Sequence, residues 1–308
     1  MNVDVAERIL REGLGDRVRS MVPLAPLTTF RIGGAAALYV EPERDEDLAV
    51  VGKAVREAPV PFVVVGRGSN LLVSDRGYPG LVIRLGRGYR WAARDRDRLR
   101  AGAAMPLPAL AGVALRHGLA GLEFGVAIPA TLGGAVKMNA GAHDAEIAGV
   151  VRGVELFLVA TGERVTLDAQ QAGFSYRRSS MPEDAVVVGA TLELRPGDAG
   201  DIRTRMDEAR DWRRRTQPLA EPNCGSVFTN PPGAHAAALI DAAGMKGHRI
   251  GGAAVSTKHA NFIVAGPGAT ADDVAALIRL VRDRVADSTG IVLEPEVRYV
   301  GSFDGDAA

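Results

Sequence analysis

Short apolar runs alternate with amphipathic stretches along the chain, the pattern of a mixed α/β protein. Residues 1–20 are predicted to form an amphipathic helix with Val5, Ile9 and Leu10 on one side. Pro23 and Pro26 break the chain, and residues 30–40 pass through Gly33 and Gly34 into a strand. Leu48, Val51 and Val55 are spaced i, i+3, i+7, which predicts a helix over 45–57. Phe62 to Val65 is wholly apolar, as for a strand buried on both faces. Another strand is expected at 81–85, and a helix over 106–117 is stopped by Gly118. Residues 154–159 and 164–167 flank a Thr-Gly-Glu turn and read as a hairpin, with a further strand at 185–194. A charged helix over 199–215 ends in Arg213, Arg214 and Arg215, and Pro218 and Pro222 mark a domain boundary. Beyond it come an Ala-rich helix at 234–243 and a strand at 260–266. Thr270 caps a helix over 271–288 with Val274, Leu277, Ile278 and Val281 inward. A last strand is expected over 291–300.

Composition narrows the function. Lys+Arg and Asp+Glu are 37 each, so the formal net charge is zero. That disfavours a nucleic-acid binder, which needs a basic surplus to neutralise phosphates. One cysteine permits no internal disulfide and no cysteine-cluster metal site, and no metal is expected. No apolar run approaches the roughly 20 residues of a membrane span. These features lead us to expect a soluble, cytoplasmic protein working away from membranes. Glycine is 37 of 308 residues and is clustered, which suggests close backbone approach to a flat or anionic ligand.

Five segments could carry chemistry. Gly66-Arg67-Gly68-Ser69-Asn70 follows an apolar strand. Its backbone N–H groups could cradle a phosphate, or it could be a plain strand-to-strand turn. It is neither a P-loop nor a dinucleotide fingerprint, because no Gly-Lys-Ser/Thr and no third glycine follow. The segment 128–141 joins Ile128, Pro129, Gly133-Gly134 and Asn139-Ala140-Gly141. It allows a ligand to lie on backbone, or a tight Gly/Ala helix, and Lys137 and Asn139 are costly in a purely apolar core. Two such loops suit an extended, pyrophosphate-bearing cofactor. In the third, 174–180, Arg177 could hold a carboxylate in a bidentate fork. In the fourth, 223–231, Ser226 follows a glycine and is accessible, while Cys224 reads as a buried filler. In the last strand Glu294 and Glu296 share one face opposite Leu293 and Val297. His259 follows Lys258 and could reach an anionic ligand.

In order and spacing, TTFRIGG, VVVGRGSNLLV, IPATLGGAVKMNAGA, FSYRRSS, NCGSVFTNP, AAGMKGHRIGGAAVSTKHANFIV and LEPEVRYVG resemble the UDP-N-acetylenolpyruvoylglucosamine reductase family, also called UDP-N-acetylmuramate dehydrogenase. The likeness runs from about Pro23 to Gly301, and it is to the shorter, second type, lacking one subgroup's tyrosine-bearing insertion. It implies a vanillyl-alcohol-oxidase-type FAD-binding domain of two subdomains, 1–86 and 87–214. A C-terminal α+β UDP-sugar domain would span 215–302, followed by a tail at 303–308.

The implied activity is NADPH-dependent, FAD-mediated reduction of UDP-N-acetylglucosamine enolpyruvate to UDP-N-acetylmuramate in peptidoglycan synthesis. Hydride passes from flavin N5, Ser226 donates the proton, and Arg177 and Glu296 stabilise the enolate. FAD contacts are implied for Gly66, Arg67, Gly68, Ser69, Asn70, Leu71, Ile128, Pro129, Ala130, Gly133, Gly134, Ala135, Asn139, Ala140 and Gly141. Substrate contacts are implied for Tyr176, Asn230, Lys246, Lys258 and His259. The chain departs from the family pattern at Leu27, Ala130, Lys137, Thr216 and Thr229; the last two stand where lysines are frequent. One of Arg213 to Arg215 is expected to supply a missing cation. A flavin oxidase sharing the FAD loops, or an inactive nucleotide-binding protein, would need no joint presence of Arg177, Ser226 and Glu296.

Overall fold

The computed structural model describes residues 2–303. The expected C-terminal tail from residue 304 onward lies outside the described residues. The chain divides into two compact units. The first holds the N-terminal residues to Ser20, Leu38–Arg67 and Gly80–Arg213. The second holds Met21–Ala37, Gly68–Pro79 and the chain from Arg214 onward.

Helix α1 spans Val3–Leu14 and buries Ala6, Ile9, Leu10 and Leu14. The expected helix over 1–20 is therefore too long, and Val5 is exposed at 38%. Its apolar stripe centres on Leu10, and Val5 lies about 140° from it at ~100° per residue. Gly15, at φ 59°, turns the chain into strand β1 (Val18–Pro23). Strand β2 is Ala35–Val40, and helix α2 covers Asp45–Glu57 with Leu48, Val51 and Ala54 buried. A Cβ on Gly13 would strike the Val50 side chain, so this glycine lets α1 and α2 close on one another. Strands β3 (Phe62–Val64), β4 (Leu71–Val73) and β5 (Tyr78–Ile83) follow. One sheet has the order β1-β2-β5-β3. Strand β3 pairs with β5 in parallel and ends that sheet, so the expectation of burial on both faces fails. Val64 is exposed at 36%, because an edge strand has a neighbour on one side only.

The rest of the first unit is a five-stranded antiparallel sheet. Strands β6 (Ala92–Asp95) and β7 (Arg98–Gly102) precede helix α3 (Leu107–Arg116), short strand β8 (Leu119–Ala120) and helix α4 (Leu132–Lys137). Next come a two-residue ladder, β9 (Gly141–Ala142) with β10 (Ala145–Glu146), then β11 (Val151–Leu158), β12 (Glu163–Asp168) and β13 (Ala185–Glu193). Strand order is β12-β11-β13-β7-β6. The hairpin read from the sequence is the β11–β12 pair, in register Val154↔Leu167 and Leu158↔Glu163. After β14 (Arg195–Pro196), helix α5 (Ala199–Thr216) adds Ile202, Met206 and Ala209 to the core formed with α3, α4 and this sheet.

The second unit is built on helices α6 (Ala236–Ala242) and α7 (Ala271–Thr289) and an antiparallel sheet. Its strands β15 (Arg249–Ile250), β16 (Ala253–Val255) and β17 (Ile263–Ala265) are in sequence order. Thr270 and Asp273 form a reciprocal capping box, and Gly290 ends α7 at φ 74°. Val274, Leu277, Ile278 and Val281 face the core as expected. Strand β18 is only Arg298–Val300, parallel to β4. The expected strand from 291 is thus shortened: Pro295 has no N–H to donate, and it makes an isolated bridge with Phe228 instead. Among the described residues, no helix is long and apolar enough to cross a membrane.

Candidate active site

In the second unit, Ser226 and Glu296 sit on adjacent segments. Gly225, at φ 82°, adopts a backbone shape that favours glycine, and its N–H donates to Asn223 Oδ1 at 2.9 Å. The Asn223 amide donates in turn to the Pro218 and Glu221 carbonyls. Beyond Ser226 the chain runs beside 294–296: Glu296 N–H donates to Val227 O at 2.7 Å and Thr229 N–H to Glu294 O at 3.0 Å. Asn70 clamps the far side, its amide donating to Glu296 O at 3.0 Å while its own carbonyl accepts from Arg298 N–H. Burial, and then the Glu296 carboxylate, push the Cys224 thiol up, so this carboxylate acts on the residue two before Ser226.

The sequence reading missed Asn261, which is almost fully buried. Its Oδ1 accepts from Phe228 N–H at 2.9 Å, its amide donates to Phe228 O at 2.8 Å, and its carbonyl accepts from Val227 N–H. This one side chain replaces a strand partner for the segment that carries Ser226. The signal was a lone amide inside the apolar run ANFIVAG, where an unpaired polar group would be costly.

Arg177 belongs to the first unit. Ser175 and Arg178 exchange both backbone hydrogen bonds at 3.0 Å, leaving Tyr176 and Arg177 as the two residues of a tight turn. Arg177 has φ 58°, a left-handed conformation that glycine usually occupies. Its Nη2 donates to Gly141 O at 3.0 Å, and its guanidinium lies 4.9 Å from the centre of the half-exposed Tyr176 ring. A Cβ at Gly141 would crowd this guanidinium and the Ala145 carbonyl.

The glycine loops have the character of a ligand cradle. Among the described residues, no backbone N–H from Gly66 to Asn70 has a protein acceptor. A Cβ on Gly66 would come within 2.5 Å of Thr131 Oγ1. Gly68, at φ 61°, has no room for a Cβ against Leu27 O. No helix follows this loop; strand β4 does. Thr131 caps α4, accepting from Gly134 N–H at 3.4 Å, and a Cβ on Gly133 would meet Ala103. Side-chain-free backbone with unpartnered N–H groups fits the pyrophosphate of a dinucleotide flavin. The Asn139 side chain is already engaged by protein. It is fully buried, with Nδ2 donating to Ser175 O and Oδ1 accepting from Ala148 N–H. The Ala135 side chain is also fully buried.

The expected substrate contacts are already partly engaged. Asn230 Oδ1 accepts from Ala236 N–H at the start of α6. Lys246 pairs with Asp241 at 2.7 Å, and Lys258 Nζ donates to Arg214 O at 2.6 Å. His259 packs edge-on against Phe262, and its buried Nδ1 has no partner among the described residues. Burial, then the nearby Lys246 charge, hold His259 below the usual histidine range, so the ring is neutral at pH 7. Burial also lowers the Arg213 pKa.

The first unit has the architecture of an FAD-binding protein: residues 36–168 match the family model of the FAD binding domain. Residues 217–300 match that of the UDP-N-acetylenolpyruvoylglucosamine reductase C-terminal domain. A curated UDP-N-acetylenolpyruvoylglucosamine reductase from Anaeromyxobacter sp. (strain Fw109-5) is 47% identical over 99% of this chain and 95% of its own. The chain belongs to the UDP-N-acetylenolpyruvoylglucosamine reductase family. The crystal structure of the reductase from Thermus caldophilus aligns with TM-score 0.81 at 38% identity, over 92% of this chain and 99% of that one. Wild-type Phl p 4.0202, a glucose dehydrogenase, aligns with TM-score 0.50 at 13% identity, over 63% of this chain and 44% of that one, a likeness of fold alone.

Proposed function

We propose that this chain reduces UDP-N-acetylglucosamine enolpyruvate to UDP-N-acetylmuramate, with NADPH as co-substrate, in peptidoglycan synthesis. The observation that carries the reading is the backbone pairing of the segment after Ser226 with residues 294–296, braced by a buried asparagine, in a chain of this family. Residues 1–86 and 87–214 hold FAD and 215–302 the UDP-sugar, in a cytoplasmic monomer. Residues 66–71, 128–130, 133–135 and 139–141 make the FAD cradle chiefly through backbone. Bound FAD supplies hydride chemistry, accepting from NADPH and delivering to the enolpyruvyl vinyl group.

The chain's own residues do the rest. Hydride arrival at the distal vinyl carbon leaves an enolate whose charge spreads onto the carboxylate. Arg177 stabilises that charge as a cation and Glu296 as a neutral, hydrogen-bond-donating acid, and stabilisation confined to the transition state is what raises kcat. Ser226 gives its proton to the carbon beside the carboxylate. Serine is a weak acid, and an enolate carbon is basic enough to take its proton. Lys246, Lys258 and His259 contribute to the substrate's diphosphate site, and one of Arg213 to Arg215 supplies a cation.

The test is a visible spectrum of the purified protein, followed by anaerobic NADPH and then the UDP-enolpyruvyl sugar. Yellow colour that bleaches with NADPH and returns with the sugar is the expected result. Recovery only with oxygen would indicate an oxidase, and a colourless protein unable to take up FAD would overturn the reading.

A further inference from the structure

The turn that carries Arg177 is tied to a second segment, 137–141, through a set of side-chain bonds. Ser179 Oγ donates to Lys137 O at 2.7 Å. Lys137 Nζ reaches back to the Met181 and Pro182 carbonyls at 3.0 and 2.8 Å. Asn139 Nδ2 donates to Ser175 O at 2.8 Å, and Gly141 O accepts from Arg177 itself. The end of α4 and the turn after it thus grip the loop on both sides of Arg177. Asn139 is also left-handed at φ 43°, a conformation that asparagine tolerates, so the strain falls on Arg177. Such strain persists only where the surroundings over-determine it. Exposed Ser175, Tyr176 and Arg178 offer the turn little packing of their own.

We propose that Ser179, Lys137 and Asn139 are positioning residues that fix the aim of the Arg177 guanidinium. The inference rests on the reading of Arg177 as the group that stabilises the enolate. Ser179 has no other task in that reading. Its hydroxyl ties the loop to the end of α4, and the Lys137 ammonium closes the far side of the same loop. Loss of either bond lets the turn relax toward an unstrained φ and swings the guanidinium off the developing charge. Misplacement of a charged donor by about 1 Å costs up to ~100-fold in rate.

Stopped-flow reoxidation of the NADPH-reduced holoenzyme by the UDP-enolpyruvyl sugar tests this. Ser179→Ala and Lys137→Met should each slow reoxidation by about 3- to 10-fold, with FAD content and the rate of reduction by NADPH unchanged. Ser179→Thr, which keeps the hydroxyl, should restore the rate. On an Arg177→Lys background the Ser179→Ala loss should shrink to less than about twofold, as coupled residues are non-additive. A loss of the same size on that background would overturn the proposal. So would an equal slowing of the NADPH step, or wild-type reoxidation by Lys137→Met. Should Ser179→Ala not fold, Lys137→Met carries the same test. Wild-type turnover by Arg177→Lys is a separate result: it removes the assigned role of Arg177, and the proposal with it.

Discussion

Two regions present the side chains proposed here as proton donor and enolate stabiliser by opposite means. Ser226 follows Gly225, so the left-handed turn beside it falls on a residue that adopts it without strain. Its segment is then braced by backbone bonds to 294–296 and by the buried Asn261. Arg177 occupies the left-handed position itself, and its turn is gripped from outside by side chains. A small proton donor needs only to be accessible, and a glycine next door serves it. A long guanidinium needs direction, and a constrained backbone with an external clamp supplies that at a cost in local stability.

The comparison breaks most sharply at Ser226. Ser226→Ala should lower kcat for the enolpyruvyl sugar by about 10²- to 10⁴-fold, the range for a positioned proton donor. Steady-state kinetics check this, and near-normal turnover would remove the assignment. Arg177→Ala should cost about 10²- to 10³-fold, seen mainly in kcat; a change confined to KM would make Arg177 a binding residue. Arg177→Gly should be just as slow, yet more stable than Arg177→Ala by about 1 kcal/mol, because glycine relieves the left-handed strain. Equal urea midpoints for the two variants would mean that the turn is not strained. Asn261→Ala leaves the Phe228 N–H and carbonyl buried without partners and should cost about 2–4 kcal/mol by urea unfolding.

The smallest effect is one of pH. In the second unit, His259 is kept neutral by burial and by Lys246, so its contribution is complete above the unfolded pKa of about 6.5 and is lost as pH falls below it. In the first unit, burial pushes Asp47 up, but bidentate Arg17 at 2.5 and 3.0 Å and the Glu43 N–H outweigh it and hold it low. That contribution is complete above about pH 4 and is lost only as pH falls through the lowered folded value. Segment-resolved hydrogen exchange should show the second unit loosening first on acidification. His259→Phe should remove the difference near pH 6, and an unchanged profile would contradict it.

Local patterns were legible where the stabilising partner is near in sequence. The spacing of Leu48 and Val51 placed α2, Thr270 and Gly290 bounded α7, and the turn after Leu158 placed the β11–β12 hairpin. Elements whose state depends on distant pairing were misread. Phe62 to Val64 looks like a central strand, but nothing local says that it has one neighbour. Leu293 and Val297 are buried as alternation required, yet Pro295 interrupts the ladder. The bonds that organise the site join residues 33 to 226 positions apart, so Asn70 and Asn139 were read only as implied FAD contacts and Asn261 was not singled out at all.

The one cysteine of the chain gives the second unit a chemical clock. Cys224 is buried and its thiol is held protonated, so a thiol reagent meets neither access nor thiolate in the closed protein. Modification must wait for the backbone around Gly225 to open. Its rate, divided by that of a free thiol, therefore reads the population of open molecules directly. A ligand that seats on Ser226 and Glu296 would slow that clock without any catalytic event, which turns occupancy of the site into a measurable lag.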